Sequence, residues 1–141
     1  MVLYAKDIVE PEFITLVGET TALDAARLMA EKKHGFVLIS INGKPTGIVT
    51  EWDYLSKVVA KDRSPSSVLL REIMTENLVT AQASEGIETV TKLMADKGVR
   101  RIVVMEKDKI IGVITSKTIL RRLEEYVNRV SSQIARLQSP F

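Results

Sequence analysis

The chain has 141 residues, the length of one average domain, which excludes two large independent domains. Hydrophobic residues make up 45% and charged residues 27%, so collagen-like, disordered and disulfide-scaffold proteins are excluded. The absence of cysteine excludes thiol catalysis and cysteine-ligated zinc, and a formal net charge of +2 is too small to indicate nucleic-acid binding by itself. The N-terminus lacks the pattern of a secretory signal, and no apolar run approaches the roughly 20 residues that span a bilayer. We therefore expect a cytoplasmic protein without a membrane segment.

An internal repeat organises the sequence. A shift of 65 positions places residues 8–58 on residues 73–123 without a gap, so that Gly47 falls on Gly112. Because a repeat of this length is too short to bury a full core alone, we expect the two copies to form one folding unit. The predicted organisation is a first copy at 5–64, a second copy at 69–123 and a C-terminal amphipathic helix at 124–141.

Each copy shows the same predicted elements in the same order. Apolar residues at helical spacing predict an amphipathic helix over about 21–33 and another over 86–97. A strand hairpin follows each helix, because apolar runs flank an Asn-Gly turn signal at 42–43 and a charged turn in the second copy. The predicted strands cover 36–41 and 46–49, then 101–105 and 110–114.

A second helix is predicted to close each copy, beginning after Thr50 in the first and after Thr115 in the second. Its apolar face in the first copy is expected to consist of Trp52, Leu55, Val58 and Val59. We favour Trp52 as an anchor packed on the sheet over a residue that shields a ligand or an oligomer contact.

The residues Thr50 and Asp53 stand where a strand leads into a helix, and two explanations fit them. In the first, Thr50 caps the helix and the acidic residue three positions on reaches back to it. In the second, the helix N-terminus binds a phosphate and the carboxylate accepts hydrogen bonds from two neighbouring ribose hydroxyls. A single Thr-x-x-Asp pattern does not distinguish capping from ligand binding.

The tandem order of a helix, two strands and a Gly-x-x-Thr-x-x-Asp segment that opens a further helix resembles the cystathionine-beta-synthase (CBS) domain pair, also called a Bateman module. The resemblance covers nearly all of residues 5–123. It implies an α/β fold of the α+β type: tandem CBS repeats, two small sheets packed face to face with flanking helices, and a C-terminal helix. It also implies a regulatory sensor, not an enzyme, which binds AMP, ADP, ATP or S-adenosylmethionine as a ligand between the repeats.

The resemblance assigns roles to individual residues. It makes Asp53 the ribose ligand of a first cleft and Thr50 a phosphate or ribose contact. Either of two neighbouring arginines would meet the phosphate, because a guanidinium bonds two oxygens at once. The opposite wall would be formed by Thr75, Val79, Val99, Arg100 and Arg101. The alternative for the arginine pair is a solvated strand edge, and for Thr75 and Val79 it is an ordinary turn or core position.

The second motif departs from the pattern, because Thr118 stands where the carboxylate is expected. A neutral hydroxyl does not hold a ribose diol by charge-assisted hydrogen bonds. We therefore expect a weaker second cleft, made by Thr115, Thr118, His34 and Phe36, and at most one high-affinity nucleotide per chain. Since His34 is the only histidine, we expect no metal site and no catalytic residue.

A heptad seam follows the second copy. Its apolar residues are spaced 3, 4, 3, 4 and 3 apart, at Leu120, Leu123, Val127, Val130, Ile134 and Leu137. Two heptads are too few for a secure isolated coiled coil, so the helix either packs back on its own chain or pairs with a second copy. We favour the second copy, hence a homodimer, with Pro140 ending the helix.

Two other functions stay open beside the sensor and its unidentified effector protein. Residues 66–141 carry 12 basic and 9 acidic side chains, which suggests a nucleic-acid-binding module, although aromatic stacking positions do not accompany the charge. A structural dimerisation subunit that binds no ligand is the other alternative.

Overall fold

The computed structural model describes residues 3–137, and these form two compact units, each built on one mixed sheet. The first unit is Glu12–Leu78. The second unit combines the described residues up to Pro11 with those from Val79 onward. The α+β class predicted from the sequence is confirmed.

The elements follow one another in the predicted order. In chain order they are α1 (Ala5–Ile8), β1 (Thr15–Val17), α2 (Ala22–Lys32), β2 (Phe36–Ile41), β3 (Lys44–Thr50), α3 (Glu51–Tyr54), α4 (Leu70–Ile73), β4 (Thr75–Glu76), β5 (Thr80–Gln82), α5 (Ile87–Lys97), β6 (Arg101–Glu106), β7 (Lys109–Thr115) and α6 (Ser116–Ala135). A π-helical turn, Leu55–Val59, continues α3, and a 3-10 turn covers Pro65–Ser67. The predicted amphipathic helices and both hairpins are confirmed, whereas α1, α4 and the short strands β1, β4 and β5 were not predicted.

The two sheets share their pairing pattern. The first unit orders its strands β1-β2-β3-β4, with β1 parallel to β2 and the other pairs antiparallel. The second unit orders its strands β5-β6-β7, again with a parallel pair followed by an antiparallel hairpin. Each hairpin shifts register once, between Ile39 and Ser40 in one and between Val104 and Met105 in the other. These two positions are 65 residues apart, which is the offset of the sequence repeat. The two copies therefore share the strand irregularity as well as the regular elements.

The segments that lead the two copies are exchanged between the units. The leading segment of the second copy, α4 with β4, pairs with β3 of the first unit, while the segment after α1 pairs with β7 of the second unit through Glu10 and Val113. The repeated glycine permits these close approaches. A Cβ atom on Gly47 would lie 2.7 Å from the carbonyl oxygen of Thr75, and one on Gly112 would clash with that of Glu10. The compact units therefore interleave along the sequence and do not follow the linear boundaries 5–64 and 69–123.

Each unit has its own apolar core. In the first unit, α2 buries the face predicted from helical spacing, with Ala22, Ala25 and Met29 packed on the sheet and on α4. In the second unit, α5 buries Val90 and Met94 in the same way. The exchanged segments complete these cores, because α4 and α1 supply buried side chains to them: Leu70, Ile73, Ala5 and Ile8.

The predicted orientation of the helix after Thr50 is wrong for most of its apolar residues. Trp52 is 67% exposed and does not anchor the helix on the sheet, and Leu55 and Val59 are also exposed. Of the four predicted residues Val58 is buried as expected, and Tyr54, four positions before it, packs against the same core although it was not predicted to do so. Apolar residues at helical spacing do not show whether that face of the helix packs on its own sheet or is exposed to solvent.

The C-terminal helix is not a separate element. The second helix of the second copy and the predicted helix from residue 124 are one continuous α6. Beyond its first turn the apolar seam lies open, with Leu120, Leu123, Val127 and Ile134 between 52% and 65% exposed. The predicted stop at Pro140 lies outside the described residues. In the part of the chain from residue 3 to residue 137, no helix has both the length and the apolar character to cross a membrane.

We predict that replacing Ile8 by alanine destabilises the second unit and replacing Ile73 by alanine destabilises the first, each by about 2–5 kcal/mol. Both side chains are buried, in exchanged segments. Amide hydrogen exchange is the measurement: Ile8→Ala should lower protection in β6 and β7, and Ile73→Ala in β2 and β3. Lys6→Ala, at an exposed neighbouring position, is the control. Loss of protection in β2 and β3 upon Ile8→Ala would contradict the exchange.

We also predict an alkaline loss of stability that depends on Tyr54. Its hydroxyl donates to the carbonyl oxygen of Ala22 at 2.7 Å, and burial raises its pKa to about 12. Above pH 10 the phenol of Tyr54 ionises in the unfolded chain but stays neutral in the folded one. The stability that this hydroxyl contributes to the folded state is therefore fully present below pH 10 and is lost by about pH 12. Chemical denaturation at several pH values should show a shallower alkaline decline for Tyr54→Phe. An identical decline in both proteins would refute the assignment to this hydroxyl.

Candidate functional site

The strand-to-helix junction of the first unit holds a buried carboxylate. The last residue of β3 is Thr50, and Asp53 is the third residue of α3 and only 4% exposed. Its Oδ2 atom accepts hydrogen bonds from the backbone nitrogen of Thr50 at 2.8 Å and from its hydroxyl Oγ1 at 3.3 Å. Asp53 therefore caps the start of its own helix, as the first sequence explanation predicted.

The other carboxylate oxygen has a charged partner. Oδ1 of Asp53 lies 2.8 Å from Nζ of Lys57, whose side chain is 41% exposed. The same ammonium donates to the carbonyl oxygen of Ile73, also at 2.8 Å. A buried charge is costly without a partner, and Lys57 and Thr50 together offset that cost for Asp53. Lys57 was not among the residues predicted from the sequence, although its position four residues after Asp53 on a predicted helix was a usable signal.

Capping and ligand binding are compatible at this carboxylate. A carboxylate offers about four lone-pair directions, and Asp53 receives three hydrogen-bond donors within its unit. A ribose hydroxyl can therefore add to the carboxylate or replace one of these donors. The role of Asp53 and Thr50 as ribose and phosphate contacts stays a prediction.

The second motif also caps its helix, but without a charge. Thr115 accepts a hydrogen bond on Oγ1 from the backbone nitrogen of Thr118 at 3.1 Å, and the two hydroxyls lie 3.0 Å apart. Thr118 is 5% exposed, so the position that holds a buried carboxylate in the first unit holds a buried hydroxyl here. This neutral junction agrees with the sequence argument for a weaker second site, which stays a prediction.

The arginine pair lies at the start of β6 in the second unit. Arg101 stands opposite Thr115 in the strand pairing, and the carbonyl of Arg100 accepts a hydrogen bond from the backbone nitrogen of Ser116 at 3.0 Å. Arg101 is half-buried and Arg100 is exposed, while Val99 packs on the core of that unit. Within one unit the arginines therefore lie beside the second motif. Their predicted contact with a phosphate held near Asp53 stays a prediction.

The remaining predicted site residues are distributed over both units. Thr75 belongs to β4 of the first unit and is exposed, whereas Val79 belongs to the second unit and packs on its core. Phe36 begins β2 opposite Thr50, and its ring stacks on that of His34 with the centroids 6.5 Å apart. Phe36 thus lies beside the first motif. Its position in the first unit is equivalent to that of Arg101, which lies beside the second motif.

A groove of about 580 Å³ in the first unit was not predicted. It runs between α2 and α3, where the small side chains of Ala26 and Ala30 leave space, and exposed Leu55 forms part of its wall. The other lining residues are Met29, Lys33, His34, Gly35, Glu51 and Tyr54. Between residues 3 and 137, no group of three or more His, Cys, Asp or Glu side chains is placed to hold a metal ion.

Comparison with protein families gives a match over most of the chain. The sequence model of the CBS domain matches twice, at residues 5–60 and 70–125. An uncharacterized protein of Methanopyrus kandleri is 33% identical over 135 residues, which are 94% of this chain and 68% of that protein. A homoserine O-acetyltransferase of Methanohalobium evestigatum is 35% identical over 125 residues, but the match spans only 24% of its length.

Solved structures show the same fold. A hexameric CBS-CP12 protein from bloom-forming cyanobacteria has a TM-score of 0.79 and 34% identity, over 85% of this chain and 67% of that one. A CBS domain pair in complex with 5′-methylthioadenosine and S-adenosyl-L-methionine has a TM-score of 0.78 and 26% identity, over 89% of this chain and 99% of that one.

Proposed function

Because the chain belongs to the CBS-domain family and carries the domain twice, we propose that it is a regulatory module that binds an adenosine-containing ligand. Proteins of this family are generally regulatory and not catalytic. The similar domain pair solved with two adenosine compounds supports the class of ligand. The observation that carries the proposal is the buried carboxylate of Asp53 at the junction of β3 and α3.

The chemistry of this junction fits a sugar. The two neighbouring hydroxyls of a ribose are hydrogen-bond donors, and a carboxylate accepts from both in a charge-assisted pair. Since Asp53 is already shielded from water, it loses little hydration when the sugar binds. The hydroxyl of Thr50 lies 3.3 Å from the same carboxylate and is the neighbouring polar group for the ligand. We propose AMP, ADP, ATP and S-adenosylmethionine as the compounds to compare.

A regulatory role needs a ligand that distinguishes two states of the protein. Micromolar affinity corresponds to roughly 8 kcal/mol, but only the difference in affinity between the two states shifts their populations. The enzyme names among the relatives belong to proteins about four times longer than the matched region, and we assign this chain no catalytic step. We propose instead that the ligand alters how the chain associates with a second copy or with an effector protein.

Self-association is the part of the proposal that the open apolar surfaces support. The seam of α6 repeats every 3 or 4 residues from Leu120 to Ile134, about four helical turns, yet most of it is exposed to solvent within the chain. In the first unit, Trp52, Leu55 and Val59 are exposed apolar side chains as well. Exposed apolar surfaces of this kind mark protein–protein contacts. We propose that α6 pairs with α6 of a second copy, which makes the protein a homodimer.

We predict that Asp53→Asn weakens the binding of adenosine ligands by more than tenfold, about 1.4 kcal/mol. The amide keeps an oxygen that accepts a hydrogen bond from the Thr50 backbone, but it removes the charge that holds the diol. Isothermal titration calorimetry with the four compounds measures the change. Asp24→Asn is the matched control, since Asp24 is an exposed acid in the first turn of α2. If Asp53→Asn binds as tightly as the wild type, Asp53 serves only as a helix cap.

We also predict that Val127→Glu dissociates the dimer, because it places a charge in the middle of the apolar seam. Analytical ultracentrifugation should show a dimer for the wild type and a dimer dissociation constant at least tenfold larger for the variant. Ser132→Glu adds the same charge on the exposed face away from the seam and should leave the dimer unchanged. A monomeric wild type, or equal dissociation constants for both variants, would refute pairing through α6.

A further inference from the structure

The ammonium of Lys57 is fixed between two acceptors that belong to different elements. It lies 2.8 Å from Oδ1 of Asp53 and 2.8 Å from the carbonyl oxygen of Ile73, the last residue of α4. Lys57 itself lies in the π-helical turn after α3. The side chain thus links the carboxylate of the motif to the segment that continues into β4.

The second unit builds the same junction without this ion pair. The positions 65 residues after Asp53 and Lys57 hold Thr118 and Arg122. Arg122 forms an ion pair with Glu125, at 3.0 Å on its own helix, and Thr118 bonds to Thr115. Because strand, cap and helix form there with a neutral pair of hydroxyls, the fold of the junction does not require the pair of Asp53 and Lys57. The pair is therefore a feature of the first unit, in which the ligand is proposed to bind, and not a requirement of the fold.

Lys57 forms its ion pair with Oδ1 of Asp53, the carboxylate oxygen that is most open to a ribose hydroxyl. Oδ2 of Asp53 already receives two hydrogen bonds from Thr50, whereas among the described residues Oδ1 receives only that of Lys57. One ribose hydroxyl can use the free lone pair of Oδ1, but the second hydroxyl of the diol competes with the ammonium for the other one. Displacement leaves Lys57 with the neutral carbonyl of Ile73 as its remaining protein acceptor at this position. The ligand itself must then supply a negative charge, or the ammonium stays poorly compensated.

On this basis, which rests on the proposed function, we propose that Lys57 determines ligand specificity: it gives up Asp53 to the ribose and pairs with the ligand's phosphate. The side chain is 41% exposed on a flexible four-carbon stem, so once the ribose displaces the ammonium from Asp53 it can turn toward an anion in the solvent-facing part of the site. An adenosine 5′-phosphate offers a partner to each group: its ribose hydroxyls donate to the Asp53 carboxylate, and its phosphate pairs with the Lys57 ammonium. Adenosine carries no charge to replace Asp53, and S-adenosylmethionine has a net positive charge, because its sulfonium and ammonium groups outnumber its one carboxylate. The site therefore selects adenosine phosphates over neutral or cationic adenosine compounds.

The test is calorimetric titration of AMP and adenosine into the wild type and three variants. The wild type should bind AMP at least tenfold more tightly than adenosine. Lys57→Met should weaken AMP at least tenfold and leave adenosine equal or tighter, because the competing ammonium is gone. Lys57→Arg should keep the preference for AMP, since the charge remains. Lys61→Met, at an exposed lysine four residues on, is the control and should behave like the wild type.

Each other outcome has a defined meaning. If Lys57→Met weakens AMP and adenosine by the same factor, Lys57 only positions Asp53, and the proposal is overturned. If the variant changes neither affinity, the proposal also fails, while the proposed function stands. If the wild type binds none of the adenosine compounds, the proposed function fails together with this inference. The wild type alone provides a test that needs no folded variant: binding of adenosine or S-adenosylmethionine as tight as that of AMP overturns the specificity.

Discussion

The arrangement of the junction between β3 and α3 depends on the free-energy cost of burying the carboxylate of Asp53. Asp53 lies almost entirely out of water, and a buried charge requires hydrogen bonds and a counter-charge. Thr50 supplies the hydrogen bonds and Lys57 the counter-charge. Lys57 in turn binds the carbonyl of Ile73, so the compensation of one side chain also joins α3 to α4. With these partners in place, the Asp53 carboxylate caps α3 and is also the group that we propose binds the ligand.

The same junction in the second unit shows which parts of it the fold needs. Thr115 and Thr118 cap α6 without any charge, and the strand pairing and register shift match those of the first unit. The repeated glycine is retained in both, because Gly47 and Gly112 each allow a leading segment to approach the strand closely. The fold therefore requires the glycine and a capping residue, and it tolerates the exchange of an acid for a hydroxyl. The charge at residue 53 is the feature that distinguishes the first unit.

Local periodicity predicted the elements that each copy forms from its own residues. The buried face of α2, with Ala22, Ala25 and Met29, follows directly from helical spacing, and the hairpins follow from apolar runs around a turn. The exchange of α1 and α4 between units was beyond this reasoning, because pairings such as that of Glu10 with Val113 join residues about a hundred positions apart. The exposure of Trp52 was also missed, since hydrophobicity does not specify which surface a side chain meets. At the site, Thr50 and Asp53 were predicted from the motif, whereas the second bond of Lys57, to Ile73, depends on a tertiary contact.

The most direct test of the account is a crystal structure of the protein with AMP bound. We expect both ribose hydroxyls to lie within about 3 Å of the Asp53 carboxylate, as charge-assisted hydrogen bonds require, and Nζ of Lys57 to have moved from Oδ1 to the phosphate. A nucleotide bound elsewhere, with Asp53 still paired to Lys57 and Thr50 as in the free chain, would contradict it. In that case the buried acid would serve the helix alone.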